Sequence, residues 1–203
     1  DIDGKKDLFV FDRAGNRISA FINTGGVGES RYVHRPEYNQ LFPEGLHDWV
    51  LLRDYNLDGK EDIFTYSSGG MAVYTNTSTT SLSFVLDTSL IYSDYNPDGT
   101  ANYINLYISS TDIPSISDVD GDGDLDVLTF SIVGAYIEYH KNMSMERYGD
   151  TDSLDFQLNN KCWGFIKENL SGNSVALYDT CSFNVNNPQR LSGGNKHAGS
   201  MLF

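Results

Sequence analysis

The stretch that decides the fold is Asp118-Val119-Asp120-Gly121-Asp122-Gly123-Asp124-Leu125-Asp126, which passes directly into Val127-Leu128-Thr129-Phe130. Carboxylates stand at loop positions 1, 3, 5 and 9, and the glycine at position 6 permits a sharp turn. Oxygen donors at these positions, with the backbone carbonyl of position 7, can wrap one hard cation such as calcium. A second copy runs from Asp54 through Asn56, Asp58, Gly59 and Lys60 to Asp62. A third, Asp1-Ile2-Asp3-Gly4-Lys5-Lys6-Asp7, has the same ending but starts at position 3. The candidate metal residues are therefore Asp118, Asp120, Asp122, Asp124 and Asp126; Asp54, Asn56, Asp58, Lys60 and Asp62; and Asp1, Asp3 and Asp7. Lys60 and Asp124 enter through their position-7 carbonyls.

The flanks exclude a loop-then-helix module. An EF-hand needs a bidentate Glu at position 12 followed by a helix. Position 12 is Thr65 in one loop and Thr129 in the other. The residues after each loop, Ile63-Phe64-Thr65-Tyr66, Val127-Leu128-Thr129-Phe130 and Leu8-Phe9-Val10-Phe11, are β-branched and aromatic, which signals strands. Each copy then continues through a turn and a second strand to an asparagine: Asp7 to Asn23, Asp62 to Asn76 and Asp126 to Asn142. The turns hold Gly15, Gly69 and Gly134, where a hairpin needs positive φ. Closing aspartates recur after 62 − 7 = 55 and 126 − 62 = 64 residues. That period in strand-rich sequence predicts an all-β fold of propeller blades, about three, each of four antiparallel strands.

The loop Asp118 to Val127 and its counterpart Asp54 to Ile63 resemble the FG-GAP or VCBS repeats of integrin-like β-propellers. The resemblance covers most of residues 1–150. It implies that each loop joins two strands of a blade and that calcium fixes the loop. A fainter likeness, Cys162-Trp163-Gly164 to Asp179-Thr180-Cys181 and then Lys196-His197-Ala198-Gly199-Ser200, is to large secreted bacterial proteins carrying such repeats. Three blades do not close a ring, so the expectation is a piece of a longer array, either an open arc or a rearranged sheet. Residues 151–190 read as a strand-rich segment around the cysteines, and 191–203 as the start of a further blade.

Composition agrees with an extracellular β-protein. Asp and Glu number 28 against 14 Lys and Arg, giving a net charge of −14 and a pI near 4.4. Such acidity excludes a nucleic-acid partner, whose phosphates need a positive surface. No apolar run is long enough to span a bilayer as a helix. Cys162 and Cys181 flank a hairpin-like segment that can place them on facing strands, which favours a disulfide over two buried thiols.

Other features take the plainer reading. Asp94-Tyr95-Asn96-Pro97-Asp98-Gly99-Thr100-Ala101-Asn102 imitates the loop at positions 1, 3, 5 and 6, but position 9 is Asn102 and the segment lies off the period, so it reads as a turn. The sequons at Asn76 and Asn142 share the repeat position of Asn23, which assigns them to strand ends; Asn169-Leu170-Ser171 stands outside that pattern. His34, His47, His140 and His197 have no ligand spacing. Trp49, Trp163, Tyr136 and Tyr139 suit core packing better than sugar stacking. The expectation is a non-enzymatic, calcium-stabilised adhesion or structural segment, with an extracellular protein or glycan as ligand and the remaining blades of a parent chain as neighbours. The rival is a propeller carried by a polysaccharide lyase or hydrolase, for which the sequence names no base.

Overall fold

In the computed structural model, residues 3–132, 134–169, 174–179, 181 and 202 are described. The chain is all-β and divides into two compact units, the first comprising residues 1–54, 58–67 and 72–89, the second residues 55–57, 68–71 and 90–203.

In the first unit, β1 (Leu8–Asp12), β2 (Arg17–Asn23) and β3 (Tyr32–His34) form an antiparallel three-stranded sheet. β1 alternates between half-buried Phe9 and Phe11 and exposed Leu8, Val10 and Asp12, the period-2 signature of a strand covered on one face. A 3-10 turn, Pro36–Leu41, follows, started by a proline that presets φ. Then come β4 (Val50–Arg53), β5 (Asp62–Ser67), β6 (Gly70–Asn76) and β7 (Phe84–Thr88), a four-stranded meander in chain order. β5 is buried from Asp62 to Thr65, as expected for an inner strand with both faces covered. Trp49, Ile63, Phe64 and Val73 are buried here, each apolar side chain contributing about 2 kcal/mol of transfer free energy.

The second unit holds β8 (Tyr92–Asp94), β9 (Tyr103–Asn105), β10 (Ser115–Ser117), β11 (Asp126–Phe130), β12 (Ile137–Asn142) and β13 (Phe156–Asn160), in the sheet order β10-β11-β12-β13-β8-β9. A four-residue helix, α1 (Ser144–Arg147), follows β12. A separate hairpin pairs β14 (Ile166–Glu168) with β15 (Val175–Leu177). Leu128, Phe130, Ile137 and Tyr139 form the core, with Val119, Trp163, Ile166 and Leu202 packed against them. The aromatic residues thus pack as the sequence suggests: Trp49, Tyr136 and Tyr139 are buried, and Trp163 lies on the core.

The three hairpins expected after the loops all form, as β1–β2, β5–β6 and β11–β12. Among the described residues, a four-stranded antiparallel sheet in chain order occurs only as β4–β7; the sheets are open, and the expected propeller of about three blades is not shown. The strand that precedes the loop in the other two copies, β4 or β10, has no described counterpart before β1. The third sheet has six strands, because β8 pairs in parallel with β13 through Phe156↔Ser93 and Gln157↔Asp94. That pairing satisfies the ladder groups β13 would otherwise expose as an edge. In the first hairpin the positive φ falls on Asn16 (49°) rather than Gly15, since an asparagine tolerates the left-handed region. In the second it falls on Ser68 and Gly69, and in the third on Gly134, while Val133 lies outside the described residues.

Cys162 and Cys181 form a disulfide with Cα atoms 5.8 Å apart. Neither cysteine is in a strand. They sit outside the β14–β15 hairpin, Cys162 before a 3-10 turn at Trp163–Phe165. The expected blade start at 191–203 lies outside the described residues apart from Leu202, whose N–H donates to the Ile113 carbonyl at 3.1 Å.

Candidate metal centre

The loop from Asp118 to Asp126 links β10 to β11 and folds back on its own backbone. Asp118 accepts the Gly121 N–H at 2.7 Å through Oδ1 and the Gly123 N–H at 3.2 Å through Oδ2. Gly121 and Gly123 have φ of 84° and 107°, values that a side chain would strain, so the turn requires both glycines. Asp122 Oδ1 accepts the Asp124 N–H at 3.2 Å.

Asp126, fully buried, anchors the loop to the sheet. Its Oδ1 accepts the Asn142 N–H at 2.9 Å, and its Oδ2 accepts from Val119 N–H at 2.9 Å and the Tyr139 hydroxyl at 3.3 Å. The same lock recurs in the other copies. Asp7 accepts from Asn23 N–H at 2.8 Å and Asp62 from Asn76 N–H at 2.7 Å. Each asparagine then accepts from the N–H two residues on, at Gly25, Ser78 and Ser144, starting the next turn. Asn76 and Asn142 also donate their amides to the Glu61 and Ser153 carbonyls, so both act as strand-end ties, as their repeat position indicates.

Two groups bring acidic oxygens within 4.8 Å of one another: Asp118, Asp120 and Asp126, and Asp120, Asp122 and Glu146. Glu146 comes from α1, twenty residues beyond the loop, and no spacing in the sequence points to it. The Lys141 ammonium, from β12, pairs with Asp120, Glu146 and, at 3.1 Å, Asp122. Burial pushes the Asp124 carboxyl up to about 6, with the Met145 N–H opposing and neighbouring carboxylates adding. Burial likewise pushes Asp126 up to about 6 despite its hydrogen bonds from Asn142 and Val119. Burial acts against the Lys141 charge too, but its acidic partners outweigh it and hold the ammonium well above its ordinary range.

These residues fit a hard cation. Asp124 is fully buried, and its Oδ2 accepts the Met145 N–H at 3.0 Å while its Oδ1 has no hydrogen-bond partner. A buried carboxylate oxygen left without a donor is costly unless a cation meets it. The donors are all oxygen, which suits calcium or magnesium and not the nitrogen and sulfur sites of zinc.

The other two loops share the backbone pattern but gather fewer acids. Asp54 accepts the Asp58 and Gly59 N–H groups at 3.1 and 2.9 Å. Asp58 accepts both the N–H and the ammonium of Lys60 at 2.9 Å, so the Lys60 side chain supplies a cation there. Asn56 is half-buried at position 3. Asp3 likewise accepts the Lys5 N–H and pairs with its ammonium, both at 3.0 Å, and Asp1 lies outside the described residues. Among the described residues, only the Asp118–Asp126 loop assembles three-acid groups.

Compared with known proteins, the chain matches no family model, no curated protein and no solved structure.

The remaining sequence candidates resolve locally. Asp94 Oδ1 accepts the Asn96 and Asn102 N–H groups at 2.9 and 2.7 Å, the geometry of the turn joining β8 to β9. His140 Nδ1 lies 2.8 Å from Ser93 Oγ, and its Nε2 lies 3.7 Å from Glu138. The string has the residue types of a nucleophilic triad, but Ser93 and His140 are both 0% exposed, so no substrate reaches the hydroxyl. His47 bonds Asp48 at 2.5 Å, His34 packs on Phe21, and His197 lies outside the described residues.

In the first unit, a cavity of about 590 Å³ is lined by Phe9, Phe21, Tyr38, Leu41, Phe42 and Phe84. Phe42 stands 4.9 Å from Phe9 and 5.5 Å from Phe84 between ring centres. The charged residues that line it, Asp7, Glu37 and Glu61, are all acidic.

Proposed function

We propose that this chain is a calcium-binding segment of an extracellular β-propeller of the FG-GAP or VCBS type, in which the metal is mainly structural and the whole serves adhesion, ligand binding or spacing. The observation that carries this reading is the lock of closing aspartate on hairpin-end asparagine, repeated at Asp7–Asn23, Asp62–Asn76 and Asp126–Asn142 behind three loops of one pattern. A bound ion would supply the positive charge that lets Asp118, Asp120, Asp122 and Asp126 converge. The chain does the rest: Asp118 shapes the turn, Asp126 ties the loop to β12, and Asn142 passes the constraint to the turn after it. The disulfide accords with an oxidising compartment. Among the described residues, no helix is long and apolar enough to cross a membrane. The apolar cavity of the first unit favours a ligand-binding role over a plain spacer, with an extracellular protein or glycan as partner.

The test is calcium titration followed by thermal unfolding of the parent, Asp120→Ala and Asp58→Ala. The melting temperature of the parent should rise with calcium in the millimolar range, about where extracellular modules bind. Each substitution should weaken that rise, Asp120→Ala more. Melting that is indifferent to chelator and calcium would refute a structural metal.

A further inference from the structure

The cavity of the first unit holds apolar surface that the chain itself does not cover. Phe9 of β1, Phe21 of β2, Phe42 just after the 3-10 turn and Phe84 of β7 all line it, and each is only half-buried. Every lining residue belongs to the first unit. Protein interiors pack about as closely as organic crystals, so rings around a space of about 590 Å³ are surface left open rather than core. An apolar cavity of about 150 Å³ takes one benzene. This one has about four times that volume, within the range of about 300–1,000 Å³ usual for small-molecule sites.

Charge narrows the occupant. Among the described residues, no basic side chain lines the cavity, so an anion meets no counter-charge there. Its three acids are already engaged: Glu37 pairs with Arg35 at 3.5 Å, Glu61 with Lys6 at 3.9 Å, and Asp7 accepts the Asn23 N–H at 2.8 Å in the hairpin lock. A charged ligand would therefore give up its hydration without a partner of its own. What remains is a wall of rings with neutral polar groups at Tyr38, Gln40, Thr80 and Ser81. We propose that this cavity binds a small uncharged aromatic molecule of about two or three rings, the size its volume sets against that of benzene. Rings attract rings in offset or edge-on contact, and Phe42, between Phe9 and Phe84, is the centre of the wall. The proposal adds a small-molecule ligand to the ligand-binding part of the reading above and rests on that part alone; the metal loops do not enter it.

The probe is N-phenyl-1-naphthylamine, an uncharged aromatic whose emission rises in apolar surroundings. Its sulfonated relative, 8-anilinonaphthalene-1-sulfonate, and the cation benzyltrimethylammonium are the charged controls. The neutral probe should bind the parent at about one per chain and roughly tenfold more tightly than the sulfonate. Benzyltrimethylammonium at equal concentration should not displace it. Phe42→Ala should weaken binding on the order of tenfold. Leu41→Ser, at a lining position 37% exposed, should weaken it severalfold while leaving the melting temperature nearly unchanged, which separates loss of the site from loss of the fold. Equal binding by the parent and both variants, preference for the sulfonate, or displacement by the cation overturns the proposal. The titrations are run in calcium and in chelator beside the melting curves. Calcium-dependent melting without probe binding overturns the cavity site and leaves the structural metal standing, and probe binding with calcium-indifferent melting does the reverse.

Discussion

Asn142 shows how much one side chain can hold. Its backbone N–H donates to Asp126, while its side-chain amide donates to the Ser153 carbonyl and its Oδ1 accepts from the Ser144 and Asp155 N–H groups, three bonds that only the side chain makes. It is 1% exposed, so truncation strands several buried groups at once. Asn142→Ala should destabilise the protein by about 2–3 kcal/mol in denaturant unfolding, the range for a broken buried network. Asp124 and Asp126 set a pH dependence. Burial raises both carboxyls to about 6, above the value near 4 of an unfolded chain. Between those values the folded chain binds more protons than the unfolded one, so the pair's contribution to stability falls as pH rises. It is fully present below about 4 and lost as pH climbs through about 6. In chelator, the parent should therefore gain stability relative to Asp124→Asn as pH drops from about 7 to about 5, because the amide does not titrate there. A parent-minus-variant difference in melting temperature that shrinks over this interval would contradict the assignment.

At the scale of elements, the hairpin is the repeating part. The closing aspartate stands at the first residue of one strand, or just before it at Asp7, and the asparagine at the last residue of the next, so a tight hairpin brings them together. This is why the residues of the lock were visible at regular places in the sequence. The β14–β15 hairpin is smaller and exposes Val175 and Leu177, and the Cys162–Cys181 disulfide closes the chain around it. Breaking the Cys162–Cys181 bond by Cys162→Ser with Cys181→Ser removes a constraint on a loop with a separation of 19 residues. The expected loss is about 3 kcal/mol on the loop-entropy account. Faster amide exchange at Ile166–Glu168 with little change at β11 and β12 would show the loss to be local to that hairpin.

For the molecule as a whole, charge dominates. A net −14 on 203 residues opposes compaction, and much of it is gathered in the loops. On the proposed reading, calcium relieves this where it is densest. The metal-free protein should therefore melt higher as sodium chloride rises from about 0.02 to about 0.5 M, since screening shortens the reach of the repulsion. The calcium-loaded protein should respond much less. Equal salt responses in the two states, measured by scanning calorimetry, would mean that loop repulsion is not what limits stability.

What the sequence by itself determined is whatever depends on neighbours along the chain. The loops, their glycine turns, the strands after them and the three hairpins were all set within a few tens of residues, because backbone hydrogen bonds and alternating burial are local demands. Only the tertiary structure decided what comes from distant segments. It placed Glu146 and Lys141 against the Asp118–Asp126 loop, joined β8 to β13 in parallel, and left Asp124 Oδ1 buried without a donor. No spacing rule encodes these, because they arise when a helix turn, a strand face and a loop pack together and must settle their charges in one small volume.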